Sequence, residues 1–220
     1  MRIRTILLVA CLLGWWWSPV AAESPADSLP ATGWVTLETN LAAGNSSLFS
    51  VPLDLGPLDL GEYLAKAGLS LKGIHGWDAR TQSFVALATL RPGQGFLLAH
   101  GPGKIAFSGQ LVTAAAVEIA LDKGWNLIGV PYQSGVPLSA LRITVDGKSE
   151  SYAAAAEMKW TGAVHTLREG KTTALAVETA VLEPWHGYWL YAYQPCQLSI
   201  PSPEALTKAK ETKGKRSNKR

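Results

Sequence analysis

Residues 124–131 read Gly124-Trp125-Asn126-Leu127-Ile128-Gly129-Val130-Pro131, and Leu48-Phe49-Ser50-Val51-Pro52 echoes the end of that stretch. Further on, Leu182-Glu183-Pro184-Trp185-His186-Gly187-Tyr188-Trp189-Leu190 echoes Leu90-Arg91-Pro92-Gly93-Gln94-Gly95-Phe96-Leu97-Leu98. Between these anchors each copy carries a tryptophan, Trp77 in the first and Trp160 in the second. Self-similarity at a fixed period outranks every other signal in assigning architecture. The expectation is therefore one module twice, with Pro52 matching Pro131, Trp77 matching Trp160 and Gly95 matching Gly187.

Local patterns say what the module is made of. Val35 and Leu37 alternate with Thr36 and Glu38, and Val117, Ile119 and Leu121 alternate with Glu118, Ala120 and Asp122. Period-two alternation marks half-buried strands. Further strands are expected at residues 48–53, 71–77, 83–87, 95–99 and 105–108. Asp146-Gly147, between Ile143-Thr144-Val145 and Lys148-Ser149-Glu150, has the chemistry of a two-residue hairpin turn. Asp59-Leu60-Gly61-Glu62 has the form of a capping box, and Leu60, Leu64 and Ala67 follow at helical spacing before Gly68. That predicts one short helix. Tyr152–Met158 is read as a strand, because it precedes Trp160 as a strand precedes Trp77, although its alanines favour a helix. Residues 171–179 are read as a lengthened loop and strand. The fold class is all-β with a minor short helix, as two homologous β-sandwich or barrel-like modules in tandem.

Domain limits follow from composition. Arg2 and Arg4 precede the uncharged apolar run Thr5–Trp17, Ser18-Pro19 ends it, and Val20-Ala21-Ala22 supplies small residues. This is the form of a signal peptide over 1–22, with Glu23 as the mature N-terminus. A membrane span needs about 20 apolar residues, so the run is short for an anchor, and no transmembrane span is expected in the mature chain. Leu8-Val9-Ala10-Cys11 also resembles a lipoprotein box, but a cut there would strand Leu12–Trp17 after it. Residues 23–32 read as a linker, 33–112 as the first module, 113–201 as the second, and 202–220 as a basic disordered tail. The expected location is the periplasm, the cell surface or the medium.

The 220-residue chain has 20 basic and 17 acidic residues, but seven of the basic ones lie after Pro201. Between Glu23 and Pro201 there are 11 basic and 15 acidic residues. A mildly acidic body argues against nucleic-acid binding, which uses a basic patch on the fold itself. The tail is expected to give at most a weak, salt-sensitive attraction to anionic envelope polymers.

Gly124–Pro131 and Gly187–Trp189, with the looser Trp77-Asp78 and Leu90–Phe96 of the first copy, resemble a repeat of bacterial exported and surface-attached proteins. Its pattern is GWNLIGVP, a central Trp, then GYW. In the first copy Ser46 and Ser47 stand where Trp and Asn are expected, and Phe96-Leu97 replaces Tyr-Trp. The resemblance covers most of residues 34–201. It implies an extracytoplasmic β module and no reaction, since the family is largely without assigned biochemistry.

Catalytic signatures are sparse. His75, His100, His165 and His186 show no metal-ligand spacing. No Gly-x-Ser-x-Gly occurs, and Gly93-Gln94-Gly95 and Gly101-Pro102-Gly103 do not open helices. Acidic pairs such as Asp54 with Asp59, or Glu178 with Glu183, suit a glycosidase only if about 5–9 Å apart, and solvation is the simpler role. With Cys11 in the signal, Cys196 is the one thiol, expected to be packed rather than nucleophilic. No catalytic residue, metal or cofactor is therefore assigned. The expected function is a non-catalytic binding or structural module of the cell envelope or surface. Its partner would be an envelope polysaccharide or another surface protein. The alternatives are a carbohydrate-binding module and, behind it, a hydrolase. One candidate site remains. Trp189, Tyr191 and Tyr193 share a strand face, where the first copy has Leu97, Ala99 and Gly101. Such a stripe either fills space against a neighbour or stays exposed to stack on a ligand.

Overall fold

The computed structural model describes residues 34–41, 46–57, 73–87, 89–168 and 170–217. The expected signal peptide, linker and Asp59–Gly68 helix lie outside them. The described chain is mostly β, in antiparallel sheets, none of which closes into a barrel.

In the first half, β1 (Trp34–Leu41) pairs with β6 (Gly103–Gln110). A four-stranded sheet is formed by β2 (Ser47–Ser50), β3 (Gly73–Asp78), β4 (Ser83–Ala86) and β5 (Gly95–Ala99), in the order β2-β5-β3-β4. Phe49, Phe96 and Leu98 from this sheet meet Ile105 and Phe107 from β6 in one apolar cluster. Alternation along each strand turns these residues inward.

The second half begins with β7 (Ala116–Leu121), β8 (Gly124–Gly129) and β9 (Val136–Pro137). Next come β10 (Arg142–Val145), β11 (Lys148–Ser151), helix α1 (Tyr152–Glu157), β12 (Thr161–Arg168) and β13 (Lys171–Ala174). It ends with β14 (Val181–Leu182), β15 (Gly187–Ala192) and β16 (Cys196–Pro201). One sheet runs β11-β10-β16-β7, another β13-β12-β15-β8, and β9 pairs with β14. Asp146 and Gly147 both have positive φ, 48° and 78°, as a tight hairpin turn between β10 and β11 requires.

The order β8-β15-β12-β13 reproduces β2-β5-β3-β4, and the registers correspond except at a bulge between Thr161 and Val164 that β3 lacks. Ser50 faces Gly95 as Gly129 faces Gly187, and Phe49 faces Phe96 as Ile128 faces Tyr188. His75 faces Leu97 as His165 faces Trp189. The tryptophan anchor needs correction. Trp77 lies two residues beyond His75 inside β3, whereas Trp160 precedes β12 and closes the turn after α1, with its N–H donating to the Ala155 carbonyl at 2.9 Å. Trp77 thus occupies the ladder position of Leu167. The lengthening attributed to residues 171–179 is resolved in the same way. β13 pairs with β12 as β4 pairs with β3, and the extra chain turns through 175–180.

Two further expectations are corrected. Residues 152–157 are helical, not extended. Ser151 Oγ accepts from the Ala154 N–H at 3.3 Å, Tyr152 and Ala155 are buried, and alanine propensity prevails once a cap is present. The tail expected to be disordered forms α2 (Pro203–Ser217). Ser202 is buried, donates its N–H to the Ala115 carbonyl at 2.8 Å, and accepts from Ala205 N–H through Oγ at 3.0 Å. Pro203 then stands where a missing N–H costs nothing, and Leu206 packs on the second core. Charge density hid a well-formed helix start. Ser202→Ala is expected to cost about 1 kcal/mol, read as a small fall in Tm with loss of helical circular dichroism at 222 nm.

The halves meet about an approximate two-fold relation. Phe49 bridges to His186, and Ile128, which has Phe49's ladder position, bridges to Gln94. Ser50 donates its N–H to the Trp185 carbonyl at 3.4 Å, and Gly129 donates to the Gly93 carbonyl at 2.8 Å. Both acceptor residues have positive φ, 68° at Trp185 and 82° at Gly93. The Trp185 ring enters the first half's core, 5.8 Å from Phe49 and 6.0 Å from Phe107 between centroids.

Candidate functional site: an aromatic ridge across both halves

The three aromatics expected on one strand face are brought together with three others. Tyr191 lies 5.1 Å from Tyr193 and 5.2 Å from Trp125, and Trp125 lies 6.3 Å from Trp189. Trp189 reaches into the first half, 4.8 Å from Trp77, which lies 5.0 Å from Phe84. All these contacts are edge-to-face, with interplanar angles between 71° and 84°. That geometry suits the ring quadrupole, negative on the face and positive at the edge. Phe84, Trp125 and Tyr193 are 45, 37 and 43% exposed, and the other three rings are half-buried. The stripe thus does both things open to it: Trp189 packs against the other half, while Tyr193 faces solvent.

Local chemistry fixes these rings. Gly124 opens β8 with φ 107°, and buried Asn126 ties the β7–β8 turn together. Its Nδ2 donates to the Asp122 and Gly124 carbonyls at 2.8 and 3.0 Å, and its Oδ1 accepts from Asp122 N–H at 3.1 Å. Trp125, between them, is held outward. Trp77 Nε1 donates to the Trp125 carbonyl at 2.7 Å, and Gln82 adds two bonds to the Trp125 backbone. His165 stands 5.5 Å from Trp125.

Trp77 also borders a cleft of about 530 Å³ between the halves, lined by Asp78, Arg91, Gln94, Glu118 and Asp122 among apolar neighbours. Asp78 accepts from the Arg80 N–H at 2.9 Å, and this bond, followed by one from Thr81, holds its carboxyl below the usual carboxylate range. Asp122 pairs with Arg80 at 3.5 Å on the exposed rim.

The remaining reactive groups have local roles. Cys196 is half-buried, and burial pushes its thiol up to about 11, which leaves little thiolate near neutrality. His100 is buried, with one ring nitrogen 2.9 Å from Ser47 Oγ and the other 2.9 Å from the Gly101 carbonyl. It ties the start of β2 to the end of β5. Asp54 accepts from Gly56 N–H at 2.9 Å in a tight turn. Among the described residues no three His, Cys, Asp or Glu side chains converge as a metal site, and no helix is long and apolar enough to cross a membrane. Comparison of the chain with protein-family models, with curated proteins and with solved structures finds no match.

Proposed function

We propose that the chain is a non-catalytic binding module of the cell envelope or surface, built from two copies of one β module, with the aromatic ridge as its ligand face. One observation carries this reading: six aromatic rings from both halves form a continuous ridge, and three of them keep more than a third of their surface in water. Exposed aromatics so connected and so firmly held mark interaction surfaces more often than solvated ones. The apolar run before Val20-Ala21-Ala22 supports export, and the GWNLIGVP and GYW stretches support kinship with exported bacterial repeats. A purely structural role is the second reading, favoured by Trp189, which packs on Trp77 across the halves.

Tyr191→Ala with Tyr193→Ala separates the two. The double variant removes two edge-to-face contacts, each contributing roughly 0.5–1.5 kcal/mol. It should keep its fold with a Tm lowered by no more than about 12 °C, and a loss beyond that is what the structural role would give. Retention of the protein on envelope fractions should then be lost. Unchanged stability with unchanged retention would remove the ridge as the ligand face.

A further inference from the structure

Resting on the binding-module reading above, we infer that the ridge takes an uncharged, linear oligosaccharide laid across both halves, with its hydroxyls reaching the polar cleft beside Trp77. Spacing is the first argument. The three exposed rings, Tyr193, Trp125 and Phe84, alternate with half-buried Tyr191 and Trp189, each neighbouring pair 5.1–6.3 Å apart and near perpendicular. The exposed rings are thus set apart from one another rather than gathered under one pyranose ring. A chain of sugars can place a C–H face against several rings in turn, and a monosaccharide cannot.

Surroundings are the second argument. The core of a protein–protein patch is depleted of charge, yet here the rings run directly into a cleft with Asp78, Glu118 and Asp122 on its walls. Carboxylates accept hydrogen bonds from hydroxyls, Gln94 can donate and accept, and Arg91 donates. That mixture suits a polyol. An anionic polymer would meet three carboxylates against Arg91 and the Asp122-paired Arg80, inside a body that is already acidic. Preorganisation is the third. The Trp77 indole is fixed by its Nε1 bond to the Trp125 carbonyl, the two Gln82 bonds hold the Trp125 backbone, and the Trp125 ring is wedged between His165, Trp189 and Tyr191 at 5.2–6.3 Å, which reduces the side-chain freedom lost on binding.

The test is calorimetric titration of the full chain with neutral hexasaccharides of glucose, N-acetylglucosamine and mannose, with their monosaccharides, and with hexagalacturonate as the anionic comparator. At least one neutral hexasaccharide should bind, about tenfold or more tighter than its monosaccharide. Trp125→Ala and Tyr193→Ala should each weaken it by about tenfold, whereas Tyr193→Phe, which keeps the ring, should bind as the parent does. Binding undiminished in the alanine variants, preference for hexagalacturonate, or no binding of any neutral sugar would overturn the inference. If no sugar binds but the Tyr191→Ala/Tyr193→Ala protein still loses envelope retention, the binding-module reading stands and the ligand is another molecule, such as a surface protein. If retention is also unaffected, both readings fail together.

Discussion

Gly95→Ala and Gly187→Ala should each cost about 3 kcal/mol, the upper part of the range for overpacking a well-packed interior. At this chain length that is a fall in Tm of roughly 6–12 °C. The reason is what the new methyl would touch. At Gly95 it would lie 2.6 Å from the Ile128 carbonyl oxygen and 3.1 Å from its carbon, and at Gly187 it would lie within 2.9–3.0 Å of backbone atoms of Leu48 and Phe49. Backbone held by a ladder on one side and by a bridge to the other half on the other cannot step aside as a side-chain terminus can. The two sites are one site seen twice, since Gly95 pairs with Ser50 as Gly187 pairs with Gly129. Each methyl would force apart the same inter-half contact from opposite directions, so the losses should be alike. Gly101→Ala is the control: its methyl would meet nothing within 4 Å and its φ is unremarkable. Thermal unfolding of the three variants decides it. A near-neutral Gly95→Ala would mean that the halves are free to separate at this contact.

The sequence made much of this visible because strands announce themselves by alternation. β5 falls on the expected residues 95–99, and β7 covers the Val117-Ile119-Leu121 alternation. The helices were harder to read for opposite reasons. At 152–157 the alanines pointed the right way, and a false match between Trp160 and Trp77 outweighed them. At 203–217 a run of lysines suggested an unpacked chain, while the decisive signal was the short Ser202-Pro203 start followed by one apolar anchor, Leu206. The ridge was half legible. Trp189, Tyr191 and Tyr193 follow from period two along one strand. Trp77, Phe84 and Trp125 come from other strands, and two of them from the other half, which no local pattern encodes. One of the three was within reach: once Gly187 is placed opposite Gly129, antiparallel register sets Trp125 opposite Tyr191.

Trp185→Gly should be more stable than Trp185→Ala, the reverse of what the two substitutions do at most positions. Trp185 carries one cost and one gain. Its φ of 68° is a left-handed conformation that costs a non-glycine residue about 1–2 kcal/mol. Alanine keeps that penalty and loses the ring's contacts with Phe49 and Phe107. Glycine loses the same contacts but escapes the penalty, as the residue at the corresponding place in the other half, Gly93, already does. Removing a half-buried ring of this size should cost about 3 kcal/mol, toward the low end for aromatic truncation. Trp185→Ala should therefore lie about 3 kcal/mol below the parent, with Trp185→Gly recovering roughly 1 kcal/mol of that. Urea midpoints at constant m-value measure both differences. The location of the loss is as informative as its size. Trp185 belongs by sequence to the second half and by packing to the first, so amide exchange should quicken first in β2 and β6, around Phe49 and Phe107, although the substitution lies far along the chain. Exchange quickening only around β14 and β15 would show that the ring contributes nothing to the first core, and that the two halves hold their cores independently.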